Sequence, residues 1–99
     1  MTLGQKQEEF AWMLGKLLCW ANEQGYRIRV GDVFARDGHK SYSNHYLKLA
    51  ADLYVFRLGA KEQDMEAHSR MHDYWDTLGG APRINGDMNH YSVVWEGRW

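Results

Sequence analysis

The sequence contains one cysteine and one proline in 99 residues, and its charges almost cancel. The single cysteine, Cys19, cannot close an internal disulfide and cannot build a thiolate zinc site by itself. The 12 basic and 13 acidic residues give a net charge of −1, so the chain has no basic excess of the kind that drives binding to nucleic acid. We therefore expect no nucleic-acid partner and no nucleic-acid chemistry.

Long apolar runs are missing as well. No stretch approaches the roughly 20 apolar residues that a membrane-spanning helix needs, and the first ten residues carry two acids and no apolar segment of the signal-peptide type. We expect a cytoplasmic protein without a signal peptide and without membrane insertion. The 44% hydrophobic and 25% charged residues suit a small folded domain, and we expect residues 1–99 to form a single monomeric domain.

Hydrophobic periodicity predicts two helices. The first is expected over residues 5–24, where apolar side chains recur every three or four positions, with Cys19 as a core thiol. The second is expected over residues 64–78, and its stripe of large side chains reads as packing. A zinc-binding helical pair of histidines usually carries glutamate after the first histidine, whereas Ser69 follows His68 here. The stripe consists of Met65, His68, Met71, His72 and Trp75.

Three strands are predicted beside these helices. Apolar and charged residues alternate over residues 26–30, and residues 91–95 are rich in β-branched and aromatic residues. Residues 45–56 have mixed helix and strand propensities, and we favour a strand over 49–57 after a polar loop at 36–44. The order of elements predicts an α+β fold with a small antiparallel sheet flanked by helices.

Four side chains suggest a metal centre. His45, Asp52 and His90 provide two imidazoles and a carboxylate, which is an ordinary ligand set for catalytic zinc. Asp87 lies three residues before His90, where a second carboxylate can act as a general base. One loop and two strand ends would bring these groups to one ion. Other interpretations remain open: both histidines fit strand ends at the surface, and Asp87 fits a turn residue after an Asn-Gly pair.

The same residues form two signatures. Ser43, His45 and Asp52 match the pattern S-x-H-x(6)-D, and Asp87 with His90 matches an acid three residues before a histidine. This pair of signatures resembles the zinc D-Ala-D-Ala carboxypeptidase and L-alanyl-D-glutamate peptidase family, in its branch of small phage endolysins. Flanking segments extend the resemblance over about residues 26–97; they are residues 31–34, 72–75, 78–80 and 89–92.

The resemblance implies a zinc peptidase that hydrolyses a peptide bond in the stem peptide of bacterial peptidoglycan. The bond would be L-Ala-D-Glu or one next to a D-residue, as cut by a carboxypeptidase. His45, Asp52 and His90 would bind Zn²⁺, and Asp87 would activate the metal-bound water and pass its proton to the leaving amine. Ser43 would lie near the substrate or hold the loop. The enzyme would act on the cell wall after a separate membrane-permeabilising protein releases it.

The substrate-binding wall is harder to assign. Arg36 is a candidate for the family's basic residue upstream of the first signature, and Arg29 is an alternative. Many members have glycine three residues after the first histidine, where this chain has Lys48. Trp95 and Trp99 are candidates for the rim of a substrate groove, whereas His39 reads as a loop residue.

A hypothesis from a different class is a non-catalytic protein on the same scaffold. It would bind peptidoglycan or serve a structural or inhibitory role in a phage, with or without zinc. Asp87 separates the two hypotheses, because a module that only binds has little need for an acid at that position.

Overall fold

The computed structural model describes residues 1–39 and 43–99. Two helices and three strands follow one another in the order helix, strand, strand, helix, strand, as the sequence predicts. The elements are α1 (Leu3–Glu23), β1 (Arg27–Val30), β2 (Ala50–Phe56), α2 (Met65–Thr77) and β3 (His90–Ser92), with a 3₁₀ turn at Asn44–Leu47 before β2.

Helix α1 begins two residues earlier than expected because Thr2 caps it. The Thr2 hydroxyl accepts from the Gln5 backbone N–H at 3.1 Å, and the Gln5 side chain accepts from the Thr2 N–H at 2.8 Å. This reciprocal capping box satisfies two N–H groups that a helix start leaves without partners. The buried face of the helix follows the predicted period of three and four, and consists of Phe10, Met13, Leu17 and Ala21.

The strands form an antiparallel sheet in the order β1-β2-β3, with β2 in the centre. In the register of β1 with β2, Val30 lies opposite Leu53. Along β2, Leu53 and Val55 are fully buried while Tyr54 is exposed, so one face of the sheet joins the core. The ambiguous segment is therefore a strand, because its apolar residues alternate in burial with a period of two.

Two expectations for the helices are wrong in detail. Cys19 is exposed rather than a core thiol, because it lies outside the buried stripe of α1. Met65 has 51% of its surface exposed, since it is the first residue of α2 and precedes the turn that meets the core. The other members of the α2 stripe are buried as predicted.

Trp75 connects α2 to β3. Its ring is fully buried and packs edge-on against Phe10 and Tyr91, with ring centres 6.0 and 6.1 Å apart. Its indole N–H donates to the Ser92 carbonyl at 2.8 Å. A Cβ at Gly80 would lie 2.1 Å from this indole ring, so the chain leaves α2 through a position where only glycine fits.

The last strand is shorter than predicted and ends at Ser92. Beyond it, Trp95 and Arg98 exchange two backbone hydrogen bonds of 2.9 and 3.0 Å across a two-residue turn. The turn residues Glu96 and Gly97 both have positive φ, 50° and 77°, which is the pattern of a tight hairpin turn. Among the elements described, neither helix combines the length and the apolar content that crossing a bilayer requires.

Candidate metal centre

Asp52 and His90 face each other across the sheet. They are direct partners in the antiparallel register of β2 with β3, and their side chains leave the face opposite to the core residues Leu53 and Tyr91. The distance from Asp52 Oδ1 to His90 Nδ1 is 3.9 Å. Strand alternation therefore places two of the three predicted zinc ligands together.

His45 reaches the same carboxylate from the 3₁₀ turn. The Ser43 hydroxyl accepts from the His45 N–H at 3.2 Å and the His45 carbonyl accepts from the Ala35 N–H at 3.1 Å, so the backbone is fixed on both sides. His45 Nε2 lies 3.2 Å from Asp52 Oδ1. Lys48 ends the turn with φ 58° and ψ 37°, a left-handed conformation that glycine adopts more easily.

The separations of these donors can be compared with those around a tetrahedral divalent ion. A tetrahedral site with bonds of 2.0–2.1 Å places its donor atoms about 3.3 Å apart and the centres of two bound imidazoles about 5 Å apart. The rings of His45 and His90 have centres 5.2 Å apart at an interplanar angle of 70°. The separation of His45 from Asp52 matches the tetrahedral value, whereas the 3.9 Å from Asp52 Oδ1 to His90 Nδ1 is longer, so His90 lies beside the Asp52 carboxylate at slightly more than the distance of a shared ion.

The His45 and His90 rings are both buried, and each has one ring nitrogen without a hydrogen-bond partner among the described residues. His45 and His90 are only 2% and 7% exposed, yet His45 Nδ1 and His90 Nε2 make no hydrogen bond within residues 1–39 and 43–99. Buried histidines with a structural role are normally hydrogen-bonded, as His68 is in this protein at both ring nitrogens. These nitrogens are the ones that point away from Asp52, and His72 Nδ1 is buried without a partner in the same way; the nitrogens that face Asp52 are His45 Nε2 and His90 Nδ1.

Burial keeps His90 in the form that binds metals. Desolvation is the main cause that lowers the pKa of His90, and the neighbouring His45 lowers it further. The carboxylates of Asp87 and Asp52 act in the opposite direction. Because the ring is neutral at pH 7, it offers a lone pair to a cation without first losing a proton.

Asp87 is one of the residues that line a cavity of about 850 Å³, next to the three predicted ligands. Its side chain is exposed, and its backbone N–H donates to the Ile84 carbonyl at 3.0 Å. The His90 N–H in turn donates to the Asp87 carbonyl at 3.1 Å, so one tight turn carries both the acid and the histidine. The cavity is also lined by Ser43, His45, Asp52 and His90.

The basic side chain at the cavity is Arg98, which the sequence analysis did not select. Arg36 is exposed and, like Arg29, does not belong to the described residues that line the cavity. Arg98 lines it together with Trp99, while Trp95 packs against the core instead. The Asn44 amide donates to the Arg98 carbonyl at 3.1 Å, which fixes the hairpin beside His45. Arg98 lies in a turn after the last strand, where hydrophobic periodicity does not single out any position. The sequence alone therefore did not indicate it.

His39 is a second residue that the sequence analysis did not assign to the site. Its backbone belongs to a loop, as expected, but its ring lies 4.2 Å from the ring of His45, centre to centre. One potential ligand atom from each of His39, His45 and Asp52 lies within 4.8 Å of the others. These three residues therefore form a group that could hold a metal ion.

A buried hydrogen-bond network supports the turn between Asp87 and His90. The His72 Nε2–H donates to the Met88 carbonyl at 2.9 Å, and the His72 ring stacks on Tyr91 at 4.1 Å. The Tyr91 hydroxyl lies 2.6 Å from His68 Nδ1. The helix α2 histidines, which the sequence analysis assigned to packing, thus act on the site through backbone and ring contacts rather than as ligands.

The network makes stability sensitive to acid. Burial lowers the pKa of His68 from 6.5 to about 4, and His72 adds to this effect. Because the folded pKa lies below the unfolded one, unfolding takes up a proton between these values. Stability is full above about pH 6.5 and falls by about 3 kcal/mol as the pH approaches 4.

This pH dependence is measurable by urea unfolding at pH 7.5 and pH 4. His68→Gln removes the titrating ring, so we expect the variant to lose clearly less stability over this interval than the wild type. The pKa values of His72 and His90 are also lowered, so a smaller slope remains in the variant. Equal slopes in the two proteins would contradict the assignment to His68.

Comparison with known proteins adds no relative. A scan against family models, a search of curated proteins and a search of solved structures each return no match to this chain.

Proposed function

We propose that this protein is a zinc-dependent peptidase that hydrolyses a peptide bond in the stem peptide of peptidoglycan. The observation that carries the proposal is the convergence of His45, Asp52 and His90 at the edge of a cavity that Asp87 also lines. Two imidazoles, one ligating carboxylate and one further carboxylate are the groups that metal-assisted hydrolysis needs.

Three protein ligands would leave one coordination position of a tetrahedral zinc ion free for water or substrate. A bound zinc ion lowers the pKa of a coordinated water to about 7 and polarises the substrate carbonyl. His45 and His90 supply neutral donors, and Asp52 supplies one negative charge between them. The backbone contacts of the 3₁₀ turn and the strand register hold these donors in place, so little reorganisation is needed when the ion binds.

Asp87 is the general base in this proposal. Its carboxylate is exposed and lines the cavity, so it reaches the substrate side of the ligands without being held in an ion pair in the described part of the chain. It takes a proton from the attacking water and delivers it to the nitrogen of the leaving amine. The tight turn that joins Asp87 to His90 fixes the distance between base and ligand.

The cavity offers further contacts to a peptide that carries negative charge. Arg98 supplies a guanidinium group that can stabilise the oxyanion or bind a substrate carboxylate, and Trp99 supplies an apolar wall. Ser43 lies at the same cavity, next to His45. We assign the basic role to Arg98 rather than Arg36, because only Arg98 lines the cavity in the described residues.

Muropeptide analysis tests this function. Purified sacculi are incubated with zinc-loaded protein, and mass spectrometry identifies the new termini. We expect a single new type of peptide terminus, which disappears with a chelator and returns with zinc. Intact muropeptides would reject the peptidase. Retention of the protein on sacculi without cleavage would favour the non-catalytic wall-binding alternative. The site of action, the cell wall after release from the cytoplasm, belongs to the same proposal.

A further inference from the structure

We propose that His39 is a fourth ligand of the metal, held in place by Asp32, so that four protein donors close the resting centre. This inference rests on the proposed metal site of His45, Asp52 and His90. It concerns how the ion is coordinated and is independent of which peptide bond is cut.

The first support is the position of the His39 ring. It stacks on His45 with an interplanar angle of 25°, and its donor lies within 4.8 Å of those of His45 and Asp52. Donors around a tetrahedral zinc lie about 3.3 Å apart, so a side-chain movement of at most roughly 1.5 Å brings the His39 donor to that separation. Such a movement is within the range of small χ rotations.

The second support is the hydrogen bond to Asp32. His39 Nε2 lies 2.9 Å from Asp32 Oδ2, and a carboxylate at pH 7 only accepts, so Nε2 carries the ring proton. Nδ1 then carries no proton, and its lone pair is available to bind a metal ion. Carboxylate–histidine–metal arrangements of this kind fix the tautomer and make the imidazole a stronger donor.

Asp32 is itself fixed relative to the site. Its backbone carbonyl accepts from the Asp52 N–H at 2.8 Å, and the preceding Gly31 N–H donates to the Asp52 carbonyl at 2.8 Å. A Cβ at Gly31 would lie 2.7 Å from the Tyr54 ring and 3.2 Å from the Asp52 carbonyl, so a larger residue here would displace the tyrosine ring. The chain after β1 therefore holds the Asp32 carboxylate next to a proposed ligand.

The third support is the backbone of His39, which Tyr46 holds at two atoms. The His39 N–H donates to the Tyr46 hydroxyl at 2.8 Å, and that hydroxyl donates to the His39 carbonyl at 2.6 Å. Since Tyr46 directly follows His45, both imidazoles are tied to one 3₁₀ turn.

The consequence is a metal centre that must release one protein ligand before hydrolysis. Four protein ligands make a closed site, whereas hydrolysis needs one position free for water or substrate. His39 is the donor that leaves, because it lies on a loop while His90 and Asp52 lie on paired strands. The metal is thus bound more tightly at rest than three ligands alone would bind it.

Zinc affinity tests the inference without measuring hydrolysis. The probe is Zn²⁺ in competition with a chromophoric chelator. We expect His39→Ala to weaken binding at least about 10-fold, and Asp32→Asn to weaken it about 10-fold through loss of the oriented ring. Asp37→Asn removes an exposed charge from the same loop and is the matched control, with affinity unchanged within twofold.

A direct readout is ¹⁵N NMR of the protein loaded with ¹¹³Cd²⁺. We expect scalar coupling between the cadmium and Nδ1 of His39. An unchanged zinc affinity in both His39→Ala and Asp32→Asn, absence of this coupling, or absence of zinc binding by the wild type would overturn the inference. A wild type that shows the coupling but cuts no peptidoglycan would keep the inference and reject the proposed peptidase.

Discussion

Asp87→Asn is expected to lower the rate of peptidoglycan hydrolysis by about 100- to 10,000-fold, the usual contribution of a positioned general base. The substitution keeps the size of the side chain and removes its ability to accept a proton. Because Asp87 is exposed and its turn is held by backbone hydrogen bonds, folding and zinc affinity should stay close to those of the wild type.

The measurement is the initial rate of release of new peptide termini from sacculi at a fixed zinc loading. Asp37→Asn serves as control, since this exposed acid lies outside the residues that line the cavity. A rate for Asp87→Asn within threefold of the wild type would show that another group moves the proton. Loss of zinc from the variant would instead assign Asp87 to the ligands.

Trp75→Ala has the largest expected effect on stability. Truncation of a buried tryptophan costs about 3–5 kcal/mol, and here it also leaves the Ser92 carbonyl without its indole donor. Small domains are stable by only about 5–15 kcal/mol. The substitution therefore removes a large part of the free energy of unfolding. The urea concentration at the midpoint of unfolding should be much lower than in the wild type.

Two further variants make this prediction testable even if the alanine variant does not fold. Trp75→Phe keeps most of the apolar volume and loses the hydrogen bond, so its unfolding midpoint should lie between those of the wild type and Trp75→Ala. Trp12→Ala removes a tryptophan that is 59% exposed on α1, and its effect should be within about 0.5 kcal/mol. A loss below about 1 kcal/mol for Trp75→Ala would contradict the assigned packing.

Much of the fold could be predicted because its elements have clear periods. The period of α1 identified its buried face, and alternation in β2 and β3 placed Asp52 and His90 on one face of the sheet. The sequence could not give the register itself, which depends on contacts between segments far apart in the chain. The same period of α1 places Cys19 about half a turn from Phe10, on the exposed face, so the expectation of a core thiol did not follow from the pattern.

The site was predicted only where local pattern carries information. His45 and Asp52 share one signature, and Asp87 and His90 share another. Arg98 reaches the cavity through a hairpin with two positive φ values, and propensity at Glu96 does not favour such a backbone. His39 reaches it through contacts with Asp32 and Tyr46, which a single sequence does not reveal.

If the proposed metal site is correct, the direct pairing of Asp52 with His90 links metal occupancy to the folding equilibrium. Strand β3 contributes only three residues to its ladder, and a slip by one residue would turn His90 toward the core and Tyr91 toward the cavity. A cation that bridges Asp52 and His90 is compatible with one register alone. Its binding therefore stabilises that register, by about 2.7 kcal/mol when the free ion is at 100 times its dissociation constant.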